Sequence, residues 1–322
     1  MFKNLSKTTL TAAVLTVAAV TAAVSPASAS AAPAPLGDAH IAVHFDLAKG
    51  QTPENIALAP NGTAYVTFAA ARQVAQLTPG GATRILATLP APADGGIHTP
   101  VLGVAMTTGI VRAHDGTLYF LYATGTSDLT GVWRLSPGGE PQRIAALPAT
   151  GLPNGLALDA RTHTLYATDS VLGTIWSVPT TGGTPTAWST APELASTGGF
   201  GANGLKIHNG ALWATNLDKG TVLRIPVLPG GRAGTPQTRA TGLAGIDDIT
   251  FTGRGDRILA ALNGSSQVAV IQPDGTHTTV LSSAEGLQNP TSIALRGHTA
   301  YVLSAAYATA KDPNLIIAHL HR

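Results

Sequence analysis

Four oxygen-bearing side chains stand at equivalent points of the sequence, each two positions before the Ile or Leu that begins a short apolar run. These residues are Glu54, Asn154, Asn203 and Asp247. Two more runs place Thr291 and either Thr107 or Thr108 at this position, because two alignments compete for one copy. Carboxylate and amide oxygens that converge, with open positions left for water, suit Ca²⁺ better than Zn²⁺. The pattern therefore predicts a site for Ca²⁺ or another divalent cation, provided that the fold brings these positions together.

The six positions belong to an internal repeat with steps of 44 to 53 residues. Each copy has an apolar run, a turn and a second apolar run, and in five of the six copies the second run carries an aromatic residue, as residues 56–66 and 110–120 illustrate. A third strand and a Gly-rich turn usually follow, so each copy holds about four short antiparallel strands. Such a unit, with a period in the forties, is typical of a β-propeller blade. We expect the repeated aromatics to pack between blades: Tyr65, Tyr119, Tyr166, Trp213 and Tyr301.

The last copy is short, with room for one more strand at residues 314–319. Near the N-terminus, residues 40–47 form a strand without a repeat of its own. Pairing the two would complete the sixth unit and remove an open sheet edge. The sequence therefore predicts one all-β domain over residues 40–322, a six-bladed β-propeller closed by the N-terminal strand. Six copies in register argue against a β-sandwich.

An ordinary interpretation of these polar residues stays open, because Asn-Gly and Asp-Gly are common hairpin signals. Asn61-Gly62 and Asp115-Gly116 fit that interpretation, since each lies between two strands of one unit. Asn154 and Asn203 differ, because each precedes the first strand of its unit. Glu54 adds weight to the metal hypothesis, because the chain has only four glutamates and Glu is a poor turn residue.

The N-terminus predicts export. Lys3 and Lys7 precede an uncharged stretch, residues 8–24, and small residues follow at 25–29. This order is typical of a secretory signal peptide, and the stretch is short for a membrane span. We expect residues 1–30 to be the signal, residues 31–39 a flexible leader, and the mature protein to be secreted and free of the membrane.

Composition removes other classes of function. The chain has no cysteine, which excludes disulfides, cysteine-ligated metals and cysteine nucleophiles. Without Lys3 and Lys7, 17 basic residues balance 17 acidic ones, and no basic cluster remains to bind nucleic acid. We expect a monomer that acts on a small molecule.

Four stretches carry a resemblance to a known family: residues 53–55, 153–158 with 165–170, 202–205, and 245–248. Over nearly the whole mature chain, the sequence resembles the senescence-marker-protein and gluconolactonase family of calcium-dependent six-bladed propeller hydrolases. Diisopropyl fluorophosphatase and paraoxonase are more distant. The resemblance implies a lactonase or related esterase whose metal ligands are the four residues above. It also implies that Asp247 serves as general base or nucleophile, with Asp248 as the alternative.

The sequence also departs from these enzymes. Thr107-Thr108-Gly109 stands where paraoxonase-like enzymes have a histidine, and we expect nearby His98 to be a surface residue. Sugar-lactone enzymes bind substrate hydroxyls with Arg and Asn side chains, and Arg112 is the one candidate for this role in the sequence. Two alternatives therefore stay open: a non-catalytic extracellular propeller that binds a protein or glycan, and a metal-dependent lyase, which would need a histidine at the mouth.

Overall fold

The computed structural model describes residues 35–321, which form six four-stranded antiparallel sheets. The predicted signal peptide and residues 31–34 of the predicted leader lie outside this range. Among the described residues, no helix is long and apolar enough to cross a membrane. The six sheets confirm the predicted all-β, six-bladed propeller.

The strands follow one another in chain order, and β1 spans Leu36–His44. Blade 1 contains β2 (Pro53–Leu58), β3 (Ala64–Phe68), β4 (Gln73–Leu77) and β5 (Thr83–Thr88). Blade 2 contains β6 (Met106–Arg112), β7 (Leu118–Ala123), β8 (Gly131–Leu135) and β9 (Gln142–Ala146). Blade 3 contains β10 (Pro153–Asp159), β11 (Thr164–Asp169), β12 (Thr174–Pro179) and β13 (Thr186–Ser189).

Blade 4 contains β14 (Ala202–His208), β15 (Ala211–Asn216), β16 (Thr221–Pro226) and β17 (Gln237–Ala240). Blade 5 contains β18 (Ile246–Phe251), β19 (Ile258–Leu262), β20 (Gln267–Ile271) and β21 (His277–Leu281). Blade 6 contains β22 (Pro290–Arg296), β23 (Thr299–Ser304), β24 (Asn314–Leu320) and β1. Short 3-10 helices lie in the connections at Leu47–Lys49, Pro192–Leu194, Pro229–Gly231 and Ser283–Glu285.

The N-terminal strand closes the ring, as predicted: β1 pairs antiparallel with β24, with Ile41 opposite Ile316. The strand begins at Leu36 rather than His40, because Leu36 is buried in the core of blades 5 and 6. Residues 36–39, predicted as leader, therefore belong to the sheet. The strand ends at His44 rather than residue 47, since Asp46 caps the 3-10 turn that follows.

The first strand of every blade contacts the first strands of both neighbouring blades, so β2, β6, β10, β14, β18 and β22 surround one central channel. The cores lie between blades: Tyr119 and Leu121 of blade 2 share a cluster with Leu156 and Leu165 of blade 3. Four of the five repeated aromatics are buried and Tyr65 packs against such a cluster, which confirms their predicted place in the core.

Candidate functional site

Every first strand has a break in its pairing register at the position that the sequence repeat marks. In β10 the break lies between Pro153 and Leu156, and in β14 between Ala202 and Leu205. The other four first strands break at the matching place. Such bulges bend a strand and redirect its side chains. The bulge therefore positions each predicted residue at one end of the channel.

The pairing register also decides between Thr107 and Thr108. Thr107 lies opposite Tyr122, three residues before the next regular pair, and this matches the place of Pro153 in blade 3. Thr108 is therefore the counterpart of Asn154. Its hydroxyl donates to the Pro153 carbonyl at 2.9 Å, which joins two blades.

Thr291 makes the same kind of hydrogen bond between blades as Thr108 does. Its hydroxyl donates to the Pro53 carbonyl at 2.9 Å, and its side chain is buried. Both threonines thus hold neighbouring first strands together, and four of the six positions remain for chemistry.

Those four side chains line one cavity of about 400 Å³ at the channel mouth. They are Glu54, Asn154, Asn203 and Asp247, and all are buried. The glycine that follows each asparagine has a structural cause. A Cβ on Gly155 would collide with the Asn203 carbonyl, and a Cβ on Gly204 would lie 2.6 Å from the Asp247 carbonyl. In these two blades Asn-Gly marks the close approach of two blades, and not a turn.

Hydrogen bonds orient the amide of Asn154. The Ser170 hydroxyl donates to the Ala202 carbonyl at 2.7 Å, so its oxygen accepts from Asn154 Nδ2 at 3.2 Å. Because the amide nitrogen is engaged, Oδ1 is the atom available to a ligand. Among the described residues, no hydrogen bond engages the Asn203 side chain, while Thr168 donates to its backbone carbonyl. The side-chain amide oxygens of Asn154 and Asn203 are therefore both available as ligands for a cation.

Each carboxylate of the site has one oxygen engaged by a neighbour. The Tyr307 hydroxyl donates to Glu54 Oε2 at 2.6 Å, and Asn263 Nδ2 donates to Asp247 Oδ2 at 3.2 Å. Burial raises the pKa of Glu54 to about 7, although the Tyr307 hydrogen bond opposes the shift. Burial, followed by the charge of Glu54, raises the pKa of Asp247 well above its usual range. A bound cation would relieve the repulsion between these two buried carboxylates.

Asp248 has a different environment from Asp247. Both of its oxygens accept from Lys206 Nζ, at 2.6 and 2.7 Å, and its side chain is almost fully buried. The ion pair joins β14 to β18. A carboxylate held in this way is poorly placed to take a proton from a substrate or water, so Asp247 is the better candidate for a base.

The donor set fits a hard divalent cation. It consists of two carboxylates and two amides, which offer only oxygen atoms as ligands, and among the described residues no His side chain lines the cavity. The same cavity has an apolar side, whose larger members are Leu102, Val104, Met106, Leu152, Phe200 and Leu217.

Other residues singled out in the sequence lie elsewhere. His98 is exposed beside Asp94, as expected. Arg112 is at the far end of β6, where its guanidinium donates to the Ala113 carbonyl, so it does not line the cavity. Asn263 and Tyr307 also line the cavity and were not predicted from the sequence. The repeat itself marks Asn263, which follows the second strand of blade 5 as Ser170 follows that of blade 3, whereas Tyr307 has no such signal.

Known proteins with this fold are found by structure and not by sequence. No protein-family model matches the sequence, and no curated protein sequence matches it. A gluconolactonase from Xanthomonas campestris is 14% identical, with a TM-score of 0.62 over 89% of this chain and 91% of that chain. A catalytically inactive virginiamycin B lyase from Staphylococcus aureus, solved with quinupristin, is 19% identical, with a TM-score of 0.61 over 85% and 82%. A chain of a nidogen/laminin complex is 19% identical, with a TM-score of 0.57 over 81% and 100%. At these identities the similarity establishes the propeller fold.

Proposed function

We propose that the protein is an exported hydrolase of a lactone or related ester, with Ca²⁺ or a similar divalent cation at the channel mouth. The observation that carries the proposal is the convergence of two carboxylates and two amides, from four blades, in one cavity. The gluconolactonase among the similar structures agrees with it at the level of the fold.

In this proposal Glu54, Asn154, Asn203 and Asp247 hold the cation. The cation, when bound, would polarise the carbonyl oxygen of the ester as a Lewis acid. Asp247 would accept the proton of the attacking water, while Asn263 holds one oxygen of the carboxylate in place. The apolar side of the cavity would keep bulk water from the reacting group.

Replacing Asp247 with Asn tests the proposed base. The substitution keeps the shape of the side chain and removes the carboxylate oxygen that would accept a proton. With excess Ca²⁺, we expect kcat/KM for lactones to fall by roughly 10²–10⁴. Asp38→Asn, on the outermost strand of blade 6, is the matched control and should retain full activity. Unchanged turnover in Asp247→Asn would exclude the residue from the mechanism.

A binding propeller for a protein or glycan is the second candidate. Two observations favour it: no His, Lys or Arg lines the cavity among the described residues, and Ile97 and Val101 expose apolar surface in a loop beside it. The missing histidine also weighs against the lyase alternative. The two functions separate in one assay, because a binding protein would take up Ca²⁺ yet hydrolyse no ester.

A further inference from the structure

The cavity at the channel mouth has two chemically different halves. Blades 5, 6 and 1 are next to one another in the ring, and they supply Asp247, Asn263, Tyr307 and Glu54. Blades 2, 3 and 4, with the connection that leads into blade 2, supply all six of the larger apolar residues named above, and their polar members are Asn154 and Asn203. Blade 1 adds only the small apolar side chains of Ala69 and Ala70. A ligand that fills the cavity therefore meets charge on one side and hydrocarbon on the other.

The apolar half is a packed wall. Met106 and Leu152 are buried in a cluster with Ala69 and Ala123, and Phe200 packs against this cluster. Side chains held in this way keep their shape when the cavity is empty. The wall therefore needs little reorganisation to receive an apolar group.

Leu102 and Val104 extend the wall from the connection between β5 and β6, residues 89–105. This connection is tied internally: the Gly103 amide donates to the Thr99 carbonyl at 2.9 Å. Its middle also packs against its C-terminal end, since a Cβ on Gly96 would lie 2.5 Å from the backbone nitrogen of Ala105. Both cavity-lining side chains are thus held over the mouth by the fold.

The connection that carries Leu102 and Val104 also exposes other apolar side chains. Val104 is 50% exposed, and Ile97 and Val101 of the same connection are 64% and 58% exposed. An apolar chain that leaves the cavity over blade 2 would therefore remain in contact with hydrocarbon. Among the described residues, no Lys, Arg or His lines the cavity, so the sequence provides no cationic donor there for a polyhydroxylated or anionic substrate.

We infer that blades 2, 3 and 4 form a subsite for an aliphatic chain, so that the substrate is a lipophilic lactone or ester rather than a sugar lactone. This inference rests on the proposed hydrolysis at the four-residue site. The reacting carbonyl lies at the polar half, and the chain lies against Met106, Leu152 and Phe200 and passes under Leu102 and Val104.

A series of γ-lactones of increasing side-chain length tests the subsite in the full-length mature protein with Ca²⁺. Each methylene that enters the apolar half should raise kcat/KM about threefold to fourfold, until the chain reaches the rim. D-Glucono-δ-lactone should be hydrolysed more slowly than the longer γ-lactones. Equal rates along the series, or a preference for the sugar lactone, would overturn the inference while leaving the proposed hydrolase intact.

Binding of methyl ketones, which mimic esters but cannot be hydrolysed, separates this inference from the proposed function. Calorimetric dissociation constants should tighten about threefold to fourfold per methylene from 2-pentanone to 2-undecanone. Such tightening in a protein that hydrolyses no lactone would support the subsite and refute the hydrolase. Dissociation constants that do not depend on chain length would refute the subsite.

A pair of leucines supplies the matched variants. Leu102 lines the cavity, whereas Leu228 lies in the β16–β17 connection, outside the cavity. Each side chain is 38% exposed, so serine at either position should leave the fold intact. Leu102→Ser should abolish most of the chain-length dependence of ketone binding, and Leu228→Ser should leave it unchanged. An equal effect of the two substitutions would contradict the assignment.

Discussion

Asp247 and Asp248 are adjacent in sequence, but the fold gives them separate tasks. The Asp247 carboxylate faces the cavity with the Asn263 amide on one oxygen, whereas Asp248 is bound by Lys206 from the next blade. This difference follows from the bulge at the start of β18, since neighbouring residues at a register break do not alternate simply between two faces. From the sequence alone, either aspartate could have been the base.

The Lys206–Asp248 pair should be structural, and Lys206→Met tests this. The substitution leaves a buried carboxylate without its partner, so we expect the free energy of unfolding to fall by about 3 kcal/mol. The double variant Lys206→Met/Asp248→Asn should recover most of the loss, because the uncompensated charge is gone. Urea unfolding with saturating Ca²⁺ measures the free energy of unfolding of the natural protein, of each single variant and of the double variant. Additive losses in the double variant would show that the two side chains are not coupled.

The sequence was sufficient to find the four donors because they occupy one position of a repeat. Counting back from each apolar run gave Glu54, Asn154, Asn203 and Asp247, and the structure places all four in one cavity. Tyr307 could not be found in this way. It lies in the connection between β23 and β24, and it reaches Glu54 only because the ring closes and brings blade 6 beside blade 1.

At the scale of elements, hydroxyls of second strands support the bulged segments of the next blade. Thr67 donates to the Thr108 carbonyl at 2.7 Å, and Thr215 donates to the Asp247 carbonyl at 2.6 Å. These bonds satisfy backbone oxygens that the register break leaves without a strand partner. They also leave the side chains of the site, and not its backbone, to face the cavity. These bonds could not be predicted from the sequence, because each joins residues of two different blades.

The strand β1 should be essential to the fold, although it is the outermost strand of blade 6 and does not line the cavity. Without it, β24 would become an exposed sheet edge, and Leu36 would be lost from the core of blades 5 and 6. A variant that begins at Phe45 should aggregate or unfold without cooperativity. A variant that begins at Pro35 keeps the strand and is the control. Size-exclusion chromatography and thermal unfolding distinguish them, and identical behaviour of the two would contradict closure by β1.

For the whole molecule, repeat spacing and turn chemistry were enough to predict the architecture. Steps of 44 to 53 residues gave six blades, and the short last copy with its unmatched N-terminal strand gave the closure. The exact bounds of β1 could not be predicted, because burial of Leu36 against blade 5 is a contact between distant parts of the chain. Export of the chain stays a prediction of its N-terminal sequence.

The pH dependence of stability in the metal-free protein follows from the buried carboxylates. Burial raises the pKa of Glu54 from about 4.5 to about 7, so the folded state holds this proton more tightly than the unfolded chain does. The contribution of Glu54 to stability is therefore fully present below pH 4.5 and is lost as the pH rises through 7, by roughly 2 kcal/mol between pH 5 and pH 8. Carboxylates with lowered pKa values, such as Asp115 and Asp218, titrate below this range.

Urea unfolding with a chelator at pH 5 and pH 8 measures this loss. Glu54→Gln is the control, because an amide has no proton to lose and its stability should depend less on pH. Excess Ca²⁺ at pH 8 should reverse the loss, since the cation binds the ionised carboxylates of the folded state. Equal stability of the metal-free protein at the two pH values would show that folding does not raise the pKa of Glu54.

The central claim is that four side chains from four blades hold one divalent cation. Calorimetric titration of the chelator-treated protein with Ca²⁺ at pH 8, beside Asn203→Leu, tests it most directly. Among the described residues no hydrogen bond engages the Asn203 side chain, so this substitution removes a donor oxygen with little other change. We predict one Ca²⁺ per chain in the natural protein and at least tenfold weaker binding in the variant. No binding by the natural protein, or equal binding by both, would contradict the account.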